Sequence, residues 1–119
     1  MEKKFKDWGS ANRALNRIVK QQVGDSADKA WKLFDFYLIQ KENGFEFGSN
    51  GFWWTYEKNV NTYSELREAV IDCFYVNLSC FDGVKVSDYD FGFITTLDCV
   101  AADFGLLLDI DWDIKREIA

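Results

Sequence analysis

Residues 45–56 set an Asn-Gly pair between two runs of aromatic side chains, and no other stretch narrows the choice of folds as much. Asn50 and Gly51 tolerate the positive φ angles of tight hairpin turns, whereas Phe and Trp favour extended backbone. Phe45-Glu46-Phe47 and Phe52-Trp53-Trp54-Thr55-Tyr56 therefore read as the two arms of a β-hairpin. Because side chains alternate across a strand, Phe52, Trp54 and Tyr56 share one face and Trp53 takes the other. Two uses remain open for Trp53. It belongs to a second aromatic layer of the sheet, or it is an exposed anchor for a protein partner, since Trp and Tyr are enriched in binding hot spots.

Helical spacing governs the chain before this stretch. Gly9-Ser10 opens a first helix with Ser10 as its N-cap, and Ala14, Leu15, Ile18 and Val19 recur on one face up to Val23. Gly24-Asp25-Ser26 interrupts the pattern. Ser26 caps a second helix with Ala30, Trp31, Phe34, Tyr37 and Leu38 inward, stopped by Gly44.

After the hairpin, Thr62 and Glu65 form a capping-box pattern, and Leu66, Ala69, Val70 and Cys73 share a helical face. Residues 62–75 are left open between helix and strand. From Phe74 the period changes: Val76, Leu78 and Cys80 alternate with Asn77, Ser79 and Phe81, and Asp82-Gly83 leads to Val84-Lys85-Val86, a second hairpin. Ser87 caps a further helix, with Asp88 and Asp90 in its first turn, where carboxylates suit the positive end of the helix dipole. Phe91, Ile94, Leu97, Ala101 and Phe104 form its stripe and Gly105 ends it, before a last short helix with Ile110, Ile114 and Ile118 inward. The expected fold class is α+β: a single globular domain over residues 1–119, with an antiparallel sheet from two hairpins covered by four or five helices. Aromatics are 18% of the chain, enough for a core without metal or disulfide staples.

Charge says most about partners. Residues 1–59 carry ten Lys/Arg against eight Asp/Glu, while residues 60–119 carry four against twelve. Between Asp82 and Asp113 eight aspartates face a single cation, Lys85. Such a surface repels a phosphate backbone and attracts a basic protein surface, so direct nucleic-acid binding is not expected, and solubility alone is the other reading of the charge. No run approaches the roughly 20 apolar residues that span a bilayer, so no membrane association is expected. The basic N-terminus, Met1-Glu2-Lys3-Lys4-Phe5-Lys6, lacks the apolar stretch of a signal peptide. Three cysteines, Cys73, Cys80 and Cys99, without Cys-x-x-Cys spacing, read as reduced core residues. Together these point to the cytoplasm.

Catalytic patterns are scarce. The chain has no histidine, which removes Ser-His-Asp and Cys-His arrangements and most metal sites, and no phosphate-binding glycine motif occurs. Asp109-Ile-Asp111-Trp-Asp113 resembles the start of a calcium loop, but Ile114 stands where that loop needs Gly and the chain ends before its last ligand. Helix capping accounts for the Asp88/Asp90 and Glu65/Glu68 pairs. No catalytic residue, cofactor or metal is therefore expected, and carboxylate-only catalysis is the weakest of the three readings.

Two stretches resemble the ArdB/KlcA antirestriction proteins of plasmids and other mobile elements. Gly44-Phe45-Glu46-Phe47 followed by Ser49-Asn50-Gly51-Phe52-Trp53 is similar to that family's aromatic segment leading into Ser-Asn-Gly-Gly-Phe-aromatic. Phe81-Asp82-Gly83 before Ser87-Asp88-Tyr89-Asp90-Phe91-Gly92-Phe93-Ile94-Thr95-Thr96-Leu97 resembles its Phe-Glu-Gly and the helix that follows, with Ser87, Gly92, Thr96 and Leu97 at matching places. The similarity covers residues 31–104, and the family's N-terminal Val-Pro-Glu segment is missing. It implies an α+β domain that relieves type I restriction. With the acidic half, it points to a non-enzymatic counter-defence protein of antirestriction or anti-CRISPR type, whose partner is a basic nuclease or nuclease complex. The expected contacts are Asp88, Asp90, Asp98, Asp103, Asp109, Asp111 and Asp113, with Trp53 as anchor. An immunity protein neutralising a basic toxin predicts the same surface.

Overall fold

Asp7, not Ser10, starts the first helix: its carboxylate accepts the Ser10 backbone N–H at 2.7 Å, and α1 runs Trp8–Val23. The computed structural model describes residues 2–113. Ala11, Ala14, Leu15, Ile18, Val19 and Val23 form the buried face of α1. Gly24–Ser26 is a single 3-10 turn, and α2 follows at Ala27–Phe34. Ser26 makes no cap there; its hydroxyl hydrogen-bonds Asp103 instead.

The second helix is shorter than its spacing predicts. Asp35 adopts left-handed backbone (φ 49°), its N–H returns to the Trp31 carbonyl at 3.0 Å, and the chain leaves as strand β1, Phe36–Lys41. Tyr37 and Leu38 thus belong to a strand. The tight turn lies at Glu42-Asn43, since Lys41 pairs with Gly44 at the start of β2, Gly44–Ser49. Strand β3, Tyr56–Val60, pairs antiparallel with β2, giving a three-stranded sheet in the order β1-β2-β3. Adjacent antiparallel strands around Asn50-Gly51 are therefore present, but residues 50–55 are a six-residue loop, and Phe52, Trp53 and Trp54 lie in it rather than in a strand. Trp8 donates its indole N–H to the Leu38 carbonyl at 2.8 Å, covering part of the outer edge of β1.

Helix α3 spans Tyr63–Ser79 without interruption, so of residues 62–75 all but the extended N-cap Thr62 are helix. Thr62 and Glu65 form the complete capping box. The second hairpin is absent: Val76, Leu78 and Cys80 do not form a strand, because Phe74, Leu78 and Phe81 follow one buried helical line into the core. Val84-Lys85-Val86 instead meets the chain's later segment, with Val86 N–H to the Asp111 carbonyl and Asp111 N–H to the Val84 carbonyl, each 2.8 Å. Val86–Asp88 is a 3-10 turn, and α4 runs Phe91–Phe104 with Asp90 rather than Ser87 as N-cap. Ile94, Leu97, Val100 and Ala101 are its buried stripe, and Gly105 (φ 95°) stops it. Phe91, expected inward, is 58% exposed: it is the first residue of α4, and the buried stripe begins one turn later at Ile94.

No helix occupies residues 105–113, so the expected last helix is not seen there; Ile110 is buried, while Ile114 and Ile118 lie outside the described residues. The fold class is α+β, with one antiparallel sheet and helices packed around a continuous core in which Phe34, Phe47, Phe74 and Phe81 are among the largest fully buried side chains.

Candidate functional site

The loop between β2 and β3 is held at both ends. Gly51 donates its N–H to the Phe34 carbonyl at 2.9 Å and Asn50 to the Asp35 carbonyl at 3.3 Å. A Cβ on Gly51 would lie 2.6 Å from the Phe34 carbonyl carbon, so only glycine lets the loop come this close to the end of α2. At the other end the Trp54 indole N–H donates to the side-chain oxygen of Asn77, a buried residue of α3. The Asn77 amide in turn donates to the Cys73 carbonyl at 2.8 Å.

This anchoring displays Trp53, which is 71% exposed. Its ring lies 5.8 Å from Tyr89, 6.0 Å from Phe81 and 6.2 Å from Phe93. Phe52 stacks inward on Trp54 at 5.5 Å, with the planes 14° apart. A cleft of 320 Å³ opens between Gly51, Phe52, Trp53 and Phe93. Trp53 is thus exposed, though on a loop rather than on a strand face. Phe93 and Asn77, which complete its setting, carry no local signal: one is an aromatic beside a helix cap and the other a polar residue in an apolar helix.

The expected acidic contacts divide into two groups. Asp88 and Asp90 bracket Tyr89 at the start of α4, and Asp90 is partly engaged, accepting the Phe93 N–H at 3.0 Å. Asp109, Asp111 and Asp113 reach the same end of the molecule, because Asp82 accepts the Asp109 N–H at 2.7 Å and the backbones of Lys85 and Asp111 pair in a short parallel β-bridge. Trp112 lies 6.1 Å from Phe91, tying this segment to the first turn of α4. Asp98 and Asp103 lie farther along α4; Asp98 is half-buried, and Asp103 takes the Ser26 hydroxyl. Among the described residues the single ion pair is Lys41–Glu46 at 3.8 Å, so none of these aspartates is neutralised by a described cation.

A second acidic region lines a 450 Å³ groove between β3 and α3, where Glu65, Glu68 and Asp72 face Tyr56 and Lys58. Tyr56 donates its hydroxyl to Asp72 at 2.8 Å, and burial with that bond holds its phenol above the ordinary range. Burial, then the Glu46 acceptor at 2.9 Å, push the Tyr37 phenol up to about 12. Burial likewise pushes the Cys73 thiol up to about 12, which disfavours the reactive thiolate. Among the described residues no three Cys, Asp or Glu side chains gather to hold a metal ion, and no helix is long and apolar enough to cross a membrane. No protein-family model, no curated protein and no solved structure matches the chain.

Proposed function

We propose that this protein is a non-enzymatic counter-defence protein of a mobile element, of antirestriction or anti-CRISPR type, which inhibits a basic host defence nuclease through an acidic protein-binding surface. The observation that carries the proposal is that the segments bearing Asp82, Asp88 and Asp90 and those bearing Asp109, Asp111 and Asp113 meet at one end of α4, where the exposed Trp53 packs on Tyr89. A nuclease groove built to hold a phosphate backbone is positive and is attracted to such a face. A central aromatic with a charged surround is also the usual layout of a binding hot spot. The two stretches that resemble the ArdB/KlcA proteins meet in space, Phe52 lying 6.4 Å from Phe93, which adds support for this class of partner.

The test is phage plating on cells expressing the protein, with type I restriction and CRISPR interference each set against a defence-free host. Recovery of plating on one defended host alone is expected. A variant with Asp88, Asp98, Asp109 and Asp113 reversed to lysine spares the Asp90 cap and the Asp103–Ser26 bond, and it is expected to lose that recovery. Recovery on no host refutes counter-defence and turns attention to neutralisation of a basic toxin. Full recovery by the reversed variant refutes the acidic surface.

A further inference from the structure

We infer that the cleft between Trp53 and Phe93 takes an arginine side chain of the basic partner, the guanidinium lying flat on the exposed indole and paired with the carboxylates that flank Tyr89. The inference deepens the reading of a basic protein partner and rests on it. An indole that is 71% exposed leaves a large apolar area in water, yet its loop is fixed by the Gly51–Phe34 and Trp54–Asn77 hydrogen bonds. A ring held ready in this way loses little freedom on binding. The cleft of 320 Å³ is wide enough for one side chain and too small for a helix.

Charge selects the occupant. Tyr89, 5.8 Å from Trp53, is flanked in sequence by Asp88 and Asp90, and Asp82 follows Phe81, another ring beside Trp53. One Asp90 oxygen caps α4, and among the described residues its other oxygen has no hydrogen-bond partner. A cation over the indole face gains from the ring quadrupole and from these carboxylates together. Arginine fits better than lysine, because its planar guanidinium stacks and offers a fork of donors to a carboxylate. The competing occupant is a nucleotide, its base on Trp53 and its phosphate at Lys29 and Lys32, which together with Asp90 line a second cleft on the other side of Phe93. The Asp90 carboxylate in that second cleft opposes a phosphate there, and no lysine lines the cleft against Trp53, so the cation is favoured.

The test uses the full chain labelled with nitrogen-15 and titrated with acetyl-Gly-Arg-Arg-Gly-amide, following the Trp53 indole signal and, for the variant that lacks it, the backbone amides of Phe52 and Phe93. The same peptide with citrulline or with lysine in place of arginine, and adenosine monophosphate, are run in parallel. The arginine peptide is expected to shift the Trp53 signal, and citrulline and Trp53→Ala should each weaken binding about tenfold. Asp88→Asn should weaken it several-fold, and added salt should do the same. Trp53 is exposed, so Trp53→Ala keeps the fold, which the remaining indole signals report. Equal binding of the citrulline peptide, a Trp53→Ala variant that binds as well as the parent, or a stronger Trp53 shift with adenosine monophosphate each overturns the inference. Arginine binding without counter-defence on any host upholds the cleft assignment and refutes only the proposed function. Counter-defence that survives Trp53→Ala but not the charge reversal overturns the arginine anchor and leaves the function standing.

Discussion

Replacing Asn77 with leucine removes the side chain that ties the Trp53–Trp54 loop to α3 while keeping the same branched heavy-atom shape, so no cavity is created. Two good hydrogen bonds go: Trp54 indole to Asn77, and Asn77 amide to the Cys73 carbonyl. The Cys73 carbonyl keeps its place in the α3 ladder, so the chief loss is the stranded N–H of Trp54, a residue about one-third exposed. At about 0.5–1.5 kcal/mol net per hydrogen bond, Asn77→Leu is expected to cost about 1–3 kcal/mol. For a chain of this size that lowers Tm by roughly 4–12 °C. Thermal unfolding followed by circular dichroism gives the first reading, and hydrogen exchange at the Trp54 indole gives the second, since loss of the bond frees that proton before global unfolding. Asn77→Ala is expected to cost more, because it adds a cavity in a fully buried site. If Asn77→Leu left Tm unchanged or raised it while the Trp54 indole exchanged freely, the bond would not hold the loop, and the preorganised display of Trp53 would have to be given up.

Gly51→Ala should destabilise by more than about 1 kcal/mol, because its methyl group meets the backbone of Leu33 and Phe34, which no rotamer change relieves; urea titration measures it. Thr62→Ala should remove about 1 kcal/mol by opening the capping box at the start of α3, read as a lower denaturation midpoint with an unchanged slope. Stability should fall in alkali: the Cys73 thiol rises from 9.0 to about 12 and the Tyr37 phenol from 10.0 to about 12 in the fold. Each favours its protonated form when folded, so its contribution is intact below the unfolded value and is lost as pH climbs through the folded one. Urea midpoints that stay level from pH 9 to 12 would contradict that assignment.

Where the sequence alone was sufficient, the forces are local. The Thr62–Glu65 box, the Ile94/Leu97/Ala101 stripe and the Gly105 stop all use partners within a few residues, and all stand in the structure. The extended segments on either side of Asn50-Gly51 are likewise visible, because aromatic residues and turn formers declare themselves by type. The acidic bias of residues 60–119 needs no fold to be counted.

Tertiary contacts decided the rest. Trp31, Phe34 and Leu38 share helical spacing, and only pairing with β2 shows that Leu38 belongs opposite Phe47 in a strand. Val76, Leu78 and Cys80 alternate like a strand, yet helix α3 carries through them, because burying Phe74, Leu78 and Phe81 together outweighs the local pattern. Whether Trp53 faces water could not follow from alternation, since it sits in a loop whose course is set by Phe34 and Asn77, both distant in sequence. A side chain's neighbours thirty residues away leave no trace in the spacing around it, and that is why the aspartates were legible as a charge and the packing of Trp53 on Tyr89 and Phe93 was not.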